Sequence, residues 1–174
     1  MTQPANKSRS TRVSEIIKAP RDVVYGAFLE PDAVTSWLPP DGMRGHIHTF
    51  EPQEGGRFQM SLTYVHRLDS QLGKTSDDTD TFEGRFVELL PCEKIVWAVE
   101  FQSDQPDFAG EMTITWNLAD TVGGDGGTEV TVLCEDIPMG IRLQDNELGS
   151  RSSLQKLAAF IERSTNDVDA LSDM

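Results

Sequence analysis

Apolar residues in the C-terminal third recur at Leu154, Leu157, Ala158 and Ile161, the i, i+3, i+4, i+7 spacing of one helix face. This pattern predicts a long amphipathic helix over roughly 140–163. Winding the stripe back at about 100° per residue brings up Ser150, Arg151, Glu147 and then Leu143, with Asn146 on its edge. The face expected to be buried therefore changes from apolar to small and polar, which predicts a hollow beneath the leading turns. Upstream the period drops to two. Ile95, Trp97, Val99 and Phe101 form one alternating set, and Met112, Ile114, Trp116 and Leu118 another. Phe58, Met60 and Leu62 alternate with Gln59, Ser61 and Thr63, so each strand puts its apolar side chains on one face. Strands over 43–50, 82–90 and 128–135 complete the run, and 11–18 supplies an earlier one.

Breakers divide these elements. Ala19-Pro20 ends the first strand, and Asp22, Val23, Val24, Ala27, Phe28 and Leu29 follow at helical spacing, predicting a short helix over 21–29. Pro31 opens a second short helix that runs to Trp37-Leu38, where Pro39-Pro40-Asp41-Gly42 stops it. Glu54-Gly55-Gly56 marks a turn with positive φ, 69–80 has the composition of a mobile hairpin tip, and 122–127 reads as a glycine-rich hairpin loop. No internal repeat is present. The fold class is α+β: a curved antiparallel sheet of about seven strands, two short helices after the first strand, and a long C-terminal helix as the only apolar element large enough to cover the concave face. The expected organisation is a flexible polar tail over 1–11, one domain over 12–163 and an acidic disordered tail over 164–174.

Composition narrows the partners. Lys and Arg number 15 against 29 Asp and Glu, a net charge of -14 that disfavours nucleic acid and anionic membrane surfaces. No stretch has the apolar length of a signal peptide or a membrane span, so a cytoplasmic location is expected. Cys92 and Cys134 lack CxxC spacing and are read as reduced, inert thiols.

Several short words stand in a telling order: Ile17-Lys18-Ala19-Pro20, Trp37-Leu38, Glu54-Gly55-Gly56-Arg57-Phe58, and Gly84-Arg85-Phe86-Val87-Glu88-Leu89-Leu90-Pro91. They continue with Ile95-Val96-Trp97, Gly127-Thr128-Glu129-Val130-Thr131-Val132, and Leu148-Gly149 followed by Leu154 and Leu157. Together they resemble the helix-grip fold of the START-like (SRPBCC) superfamily, and within it the bacterial family related to the C-terminal domain of the activator of Hsp90 ATPase. The resemblance spans nearly all of 12–163. It implies a cavity between sheet and long helix that takes up small hydrophobic molecules in many relatives, and occasional catalysis, without implying one reaction. Relatives often carry tryptophan after the helix glycine where this chain has Ser150, a change expected to leave more empty volume. The separate N-terminal domain of true chaperone activators is also missing from the pattern, which argues against an Hsp90 role.

Two groups of residues carry the candidate chemistry. Asn146, Glu147, Ser150 and Arg151 form a polar set on the helix; facing inward, Glu147 would have to pair with Arg151 or a ligand, and would be the candidate general acid or base. A later helix start or a bend would leave the set in water. The second group is apolar: Phe58, Met60, Phe86, Trp97, Met112, Ile114 and Trp116 from the sheet, with Trp37 at the mouth. The same positions suit plain core packing, and periodicity does not separate wall from core. His46 and His48 share a strand face without the spacing of a zinc site, His66 being the third histidine, so no metal is assigned. The glycine-rich loop lacks the Lys and Ser or Thr of a phosphate loop. The leading expectation is a small-molecule binding protein holding a hydrophobic or amphipathic ligand, without cofactor, as monomer or homodimer. The alternatives are an enzyme using the same cavity through Glu147 and a chaperone ATPase partner.

Overall fold

The computed structural model describes residues 9–40, 42–65, 79–103 and 105–172, with side chains to Arg163. The elements are β1 (Ser10–Ile17), α1 (Arg21–Gly26), α2 (Pro31–Trp37), β2 (Met43–Phe50), β3 (Arg57–Tyr64), β4 (Thr79–Leu90), β5 (Lys94–Phe101), β6 (Met112–Asp120), β7 (Thr128–Glu135) and α3 (Leu143–Ser172). A single 3-10 turn, Pro106–Phe108, lies between β5 and β6. The seven strands form one antiparallel sheet in the order β1-β7-β6-β5-β4-β3-β2, so the chain's first strand pairs with its last. This is the α+β helix-grip architecture expected from the patterning.

Register lines up the inward residues in rows across the sheet. Val13, Val132, Trp116 and Ile95 are successive cross-strand partners, and so are Thr11, Cys134, Ile114, Trp97 and Phe86. Irregularities between Ile47 and Thr49 and between Phe86 and Glu88 bend the outer strands, as an extra residue in one strand does. α3 lies across β1 and α2. Its Leu154, Leu157 and Ile161 are buried as their spacing requires, joining Val13, Ile17, Val130 and Val132 in one core.

Boundaries shift in four places. β1 begins inside the residues expected to form a tail, because the Arg9 guanidinium donates to the carbonyls of Ile137, Pro138 and Ile141, and Thr11 is buried. α3 stays helical nine residues past its expected end, through a stretch without Gly or Pro to stop it. α1 ends early because the N–H groups of Ala27, Phe28 and Leu29 turn to the carbonyls of Val24, Tyr25 and Gly26, the tighter three-residue bonds of a closing turn. β4 starts at Thr79, within the expected hairpin tip; the rest of that tip, with His66, lies outside the described residues.

Candidate functional site

The sheet and α3 enclose an aromatic interior. Trp37, Phe58, Met60, Phe86, Trp97, Met112 and Trp116 are buried, and Ile114 is half-buried beside them. The rings meet edge to face or tilted. Trp37 lies 4.8 Å from Phe28 and 5.4 Å from Trp116, and Trp97 lies 5.4 Å from Trp116 and 5.2 Å from Phe58 (centroid distances). Phe28 sits at the centre of this net, yet periodicity placed it only on a short helix. Its role comes from the path that brings α1 onto β6 and sets Phe28, just after it, beside Trp97 and Trp116, which no local pattern encodes.

Gly84 makes room for one wall. It stands opposite Phe58 across β3 and β4, and a Cβ there would come within 2.3 Å of the Phe58 ring. The bare backbone lets the ring lie across the neighbouring strand toward Trp97. At the β2–β3 turn, Gly56 is required for the same kind of reason: a Cβ there would come within 1.9 Å of the Glu51 carbonyl oxygen.

The three indole N–H groups differ in their satisfaction. Trp37 donates from Nε1 to the Ala27 carbonyl at 3.0 Å. Among the described residues no acceptor reaches Nε1 of Trp97 or of Trp116, although both side chains are only 2% exposed. A buried donor without a partner costs about 1–3 kcal/mol, and native interiors leave few of them.

The leading turns of α3 correct the expectation for the polar stripe. Asn146 and Ser150 do face the sheet, but they meet protein: Thr11 donates to Asn146 Oδ1, and Ser150 Oγ lies 3.9 Å from Cys134 Sγ. Thr11 and Cys134 are register partners on the inner face of β1 and β7, so the polar end of the helix packs on a polar end of the sheet. No ligand is needed to account for these groups. Burial pushes the Cys134 thiol above its ordinary value, and hydrogen bonding with Ser150, Thr11 and Asn146 offsets part of that rise. Glu147 and Arg151 point outward, 51% and 46% exposed, and pair with each other at 3.5 Å. The inner line of the helix runs through Asn146, Ser150, Ser153, Leu157 and Ile161, and one residue further turns the side chain by about 100°. An exposed i,i+4 pair is worth about 0.3–0.5 kcal/mol, and Glu147 is not placed to act on a molecule in the interior.

Farther along α3, Ser153 Oγ donates to the Leu38 carbonyl at 2.5 Å and Lys156 Nζ to the Pro39 carbonyl at 2.6 Å. These bonds hold the segment after α2 against the helix. His46 and His48 are exposed, with rings 4.6 Å apart and His48 Nε2 at 2.8 Å from Ser61 Oγ. Among the described residues no group of three His, Cys, Asp or Glu could hold a metal ion. A polar depression of about 180 Å³ opens among Thr49, Glu51, Arg57, Gln59 and Glu83, with Phe58 at its floor; all but Phe58 are turned away from the aromatic interior. Among the described residues no helix is long and apolar enough to cross a membrane.

Residues 18–162 match the family described as Activator of Hsp90 ATPase homolog 1-like protein. CV1439 from Chromobacterium violaceum is 30% identical, with 88% of this chain and 97% of that one covered and a TM-score of 0.76. A protein from Rhodobacter sphaeroides at 16% identity, covering 92% and 96% with a TM-score of 0.69, shares the fold. So does Ms6760 from Mycobacterium smegmatis at 14% identity, covering 87% and 90% with a TM-score of 0.66. No curated protein matches the chain.

Proposed function

The chain belongs to the Activator of Hsp90 ATPase homolog 1-like family, and from that premise we propose that it binds a small, mainly apolar molecule between its sheet and α3. The observation that supports this most is the pair of buried indole N–H groups of Trp97 and Trp116, for which no acceptor is found among the described residues. The aromatic lining from Phe28, Trp37, Trp97 and Trp116 also favours it, since ligand sites are lined mainly by apolar and aromatic side chains. Met60 and Met112, unbranched and adaptable, line the same space.

A guest has to part rings that touch, so binding requires movement of the cover. The segment held by Ser153 and Lys156 is the natural place for it, because those bonds reach only backbone carbonyls and their opening strands no buried charge. With Glu147 in water, the enzymatic variant of this reading has lost its acid or base.

Thermal unfolding in the presence of a panel of neutral aromatic and alicyclic molecules tests the proposal. A molecule bound to the folded chain alone adds about 2.7 kcal/mol at a hundredfold excess over its Kd, which raises the Tm by several degrees. A panel in which no member raises the Tm, together with native mass spectra that carry no retained small molecule, refutes it.

A further inference from the structure

Two buried donors without acceptors among the described residues point to the chemistry of the molecule that the interior takes. Trp97 has Phe86 and Ile114 as its cross-strand partners, and Trp116 has Ile95 and Val132. None of these brings an acceptor side chain. In a core selected for packing alone an apolar ring such as phenylalanine would fill these positions without stranding a donor. Trp37 shows the ordinary arrangement, with its N–H given to the Ala27 carbonyl.

Charge restricts the acceptor further. The buried polar residues among those described are Thr11, Asp80, Thr128, Thr131 and Ser153, with no Lys or Arg. A carboxylate or phosphate in the interior would lose its hydration with no cation to compensate it. A carbonyl oxygen is neutral and has two lone pairs, enough to accept from two donors. The Trp97 and Trp116 ring centroids are 5.4 Å apart, so the two indoles border the same part of the interior.

We propose that Trp97 and Trp116 together select a neutral hydrogen-bond acceptor, the carbonyl oxygen of an aromatic or alicyclic ketone or quinone, on the apolar molecule that the interior binds. This rests on the binding function proposed above and adds the chemical class of the ligand. Discrimination comes from the donors, because a hydrocarbon of the same shape leaves both unpaired.

Three probes on one ring frame test it with the full chain: 2-acetylnaphthalene, 2-ethylnaphthalene and 2-naphthoate, titrated calorimetrically and followed in 1H–15N spectra of the indole groups. The ketone is expected to bind about tenfold more tightly than the hydrocarbon, and the carboxylate most weakly. The Trp97 and Trp116 indole N–H protons should move downfield with the ketone and not with the hydrocarbon, as expected of a new hydrogen bond. Trp97→Phe and Trp116→Phe should each lower the ratio of ketone to hydrocarbon affinity about three- to tenfold. Equal affinity for ketone and hydrocarbon, or ketone binding that leaves both indole resonances in place, overturns the acceptor assignment and spares the binding function. Failure of all three probes to bind overturns both. If the phenylalanine variants do not fold, the resonances of the parent chain still decide.

Discussion

Replacing Gly84 with alanine probes the contact that sets the Phe58 wall. The added Cβ would lie 2.3 Å from Cζ of the Phe58 ring and 2.7 and 2.8 Å from its two Cε atoms, inside any real carbon–carbon contact. The ring has little room to retreat: Phe58 is 5% exposed, with Trp97 at 5.2 Å, Phe86 at 5.4 Å and Phe82 at 6.1 Å between centroids. Overpacking a filled core costs about 1–3 kcal/mol. Against this, alanine in place of glycine recovers about 0.4–1 kcal/mol by restricting the unfolded chain, since Gly84 is not among the residues with positive φ. The first effect is larger, and a net loss of about 1–2 kcal/mol is expected. Urea unfolding followed by tryptophan fluorescence should show a lower midpoint at an unchanged slope. One contact causes the loss, so Phe58→Leu should relieve it: in that background Gly84→Ala costs at least about 1 kcal/mol less than in the parent. Additivity of the two changes to within about 0.5 kcal/mol would refute the argument.

Other consequences can be checked in parallel. Ser150→Trp places an indole against Cys134, 3.9 Å from the present hydroxyl, and should destabilise by about 1–3 kcal/mol; a variant with parental Tm would restore a hollow at that point. Lys156→Met frees the Pro39 carbonyl, and hydrogen exchange in 38–45 should accelerate together with uptake of a neutral aromatic probe; unchanged exchange removes this segment as the moving cover. Thr11→Val takes the donor away from Asn146 and should cost about 1–2 kcal/mol, whereas replacement of exposed Glu147 by Gln should change the urea midpoint little. The Cys134 thiol is raised above 9.0 by burial, so the unfolded chain releases this proton first. The stability it contributes is complete below 9.0 and is lost as pH rises from there through the folded value. Between pH 8 and pH 10.5 the urea midpoint of the parent should therefore fall more steeply than that of Cys134→Ala, and parallel curves would contradict it.

Local patterning along the chain accounts for the architecture and most of the inner face. Period two in β3, β5 and β6 and the stripe Leu154, Leu157, Ile161 are properties of the local chain, and burial followed them because one face of each element must leave water. Ser150 and Asn146 were also correctly turned toward the sheet. Their neighbours were not legible, since the pairing of β1 with β7, which sets Thr11 and Cys134 beneath them, joins residues more than a hundred positions apart. Glu147 shows the limit of a helical wheel: one residue is about 100° of rotation, and only the docking of α3 on β1 and α2 decided that its carboxylate faces water. The indole groups make the same point in the other direction. Spacing puts Trp37, Trp97 and Trp116 inside, but which N–H finds a carbonyl depends on the fold, which brings Ala27 to Trp37 and, among the described residues, no acceptor to the other two. Periodicity is a local quantity and survives in one dimension, whereas satisfaction of a polar atom is settled by whatever the rest of the chain places within 3.5 Å of it.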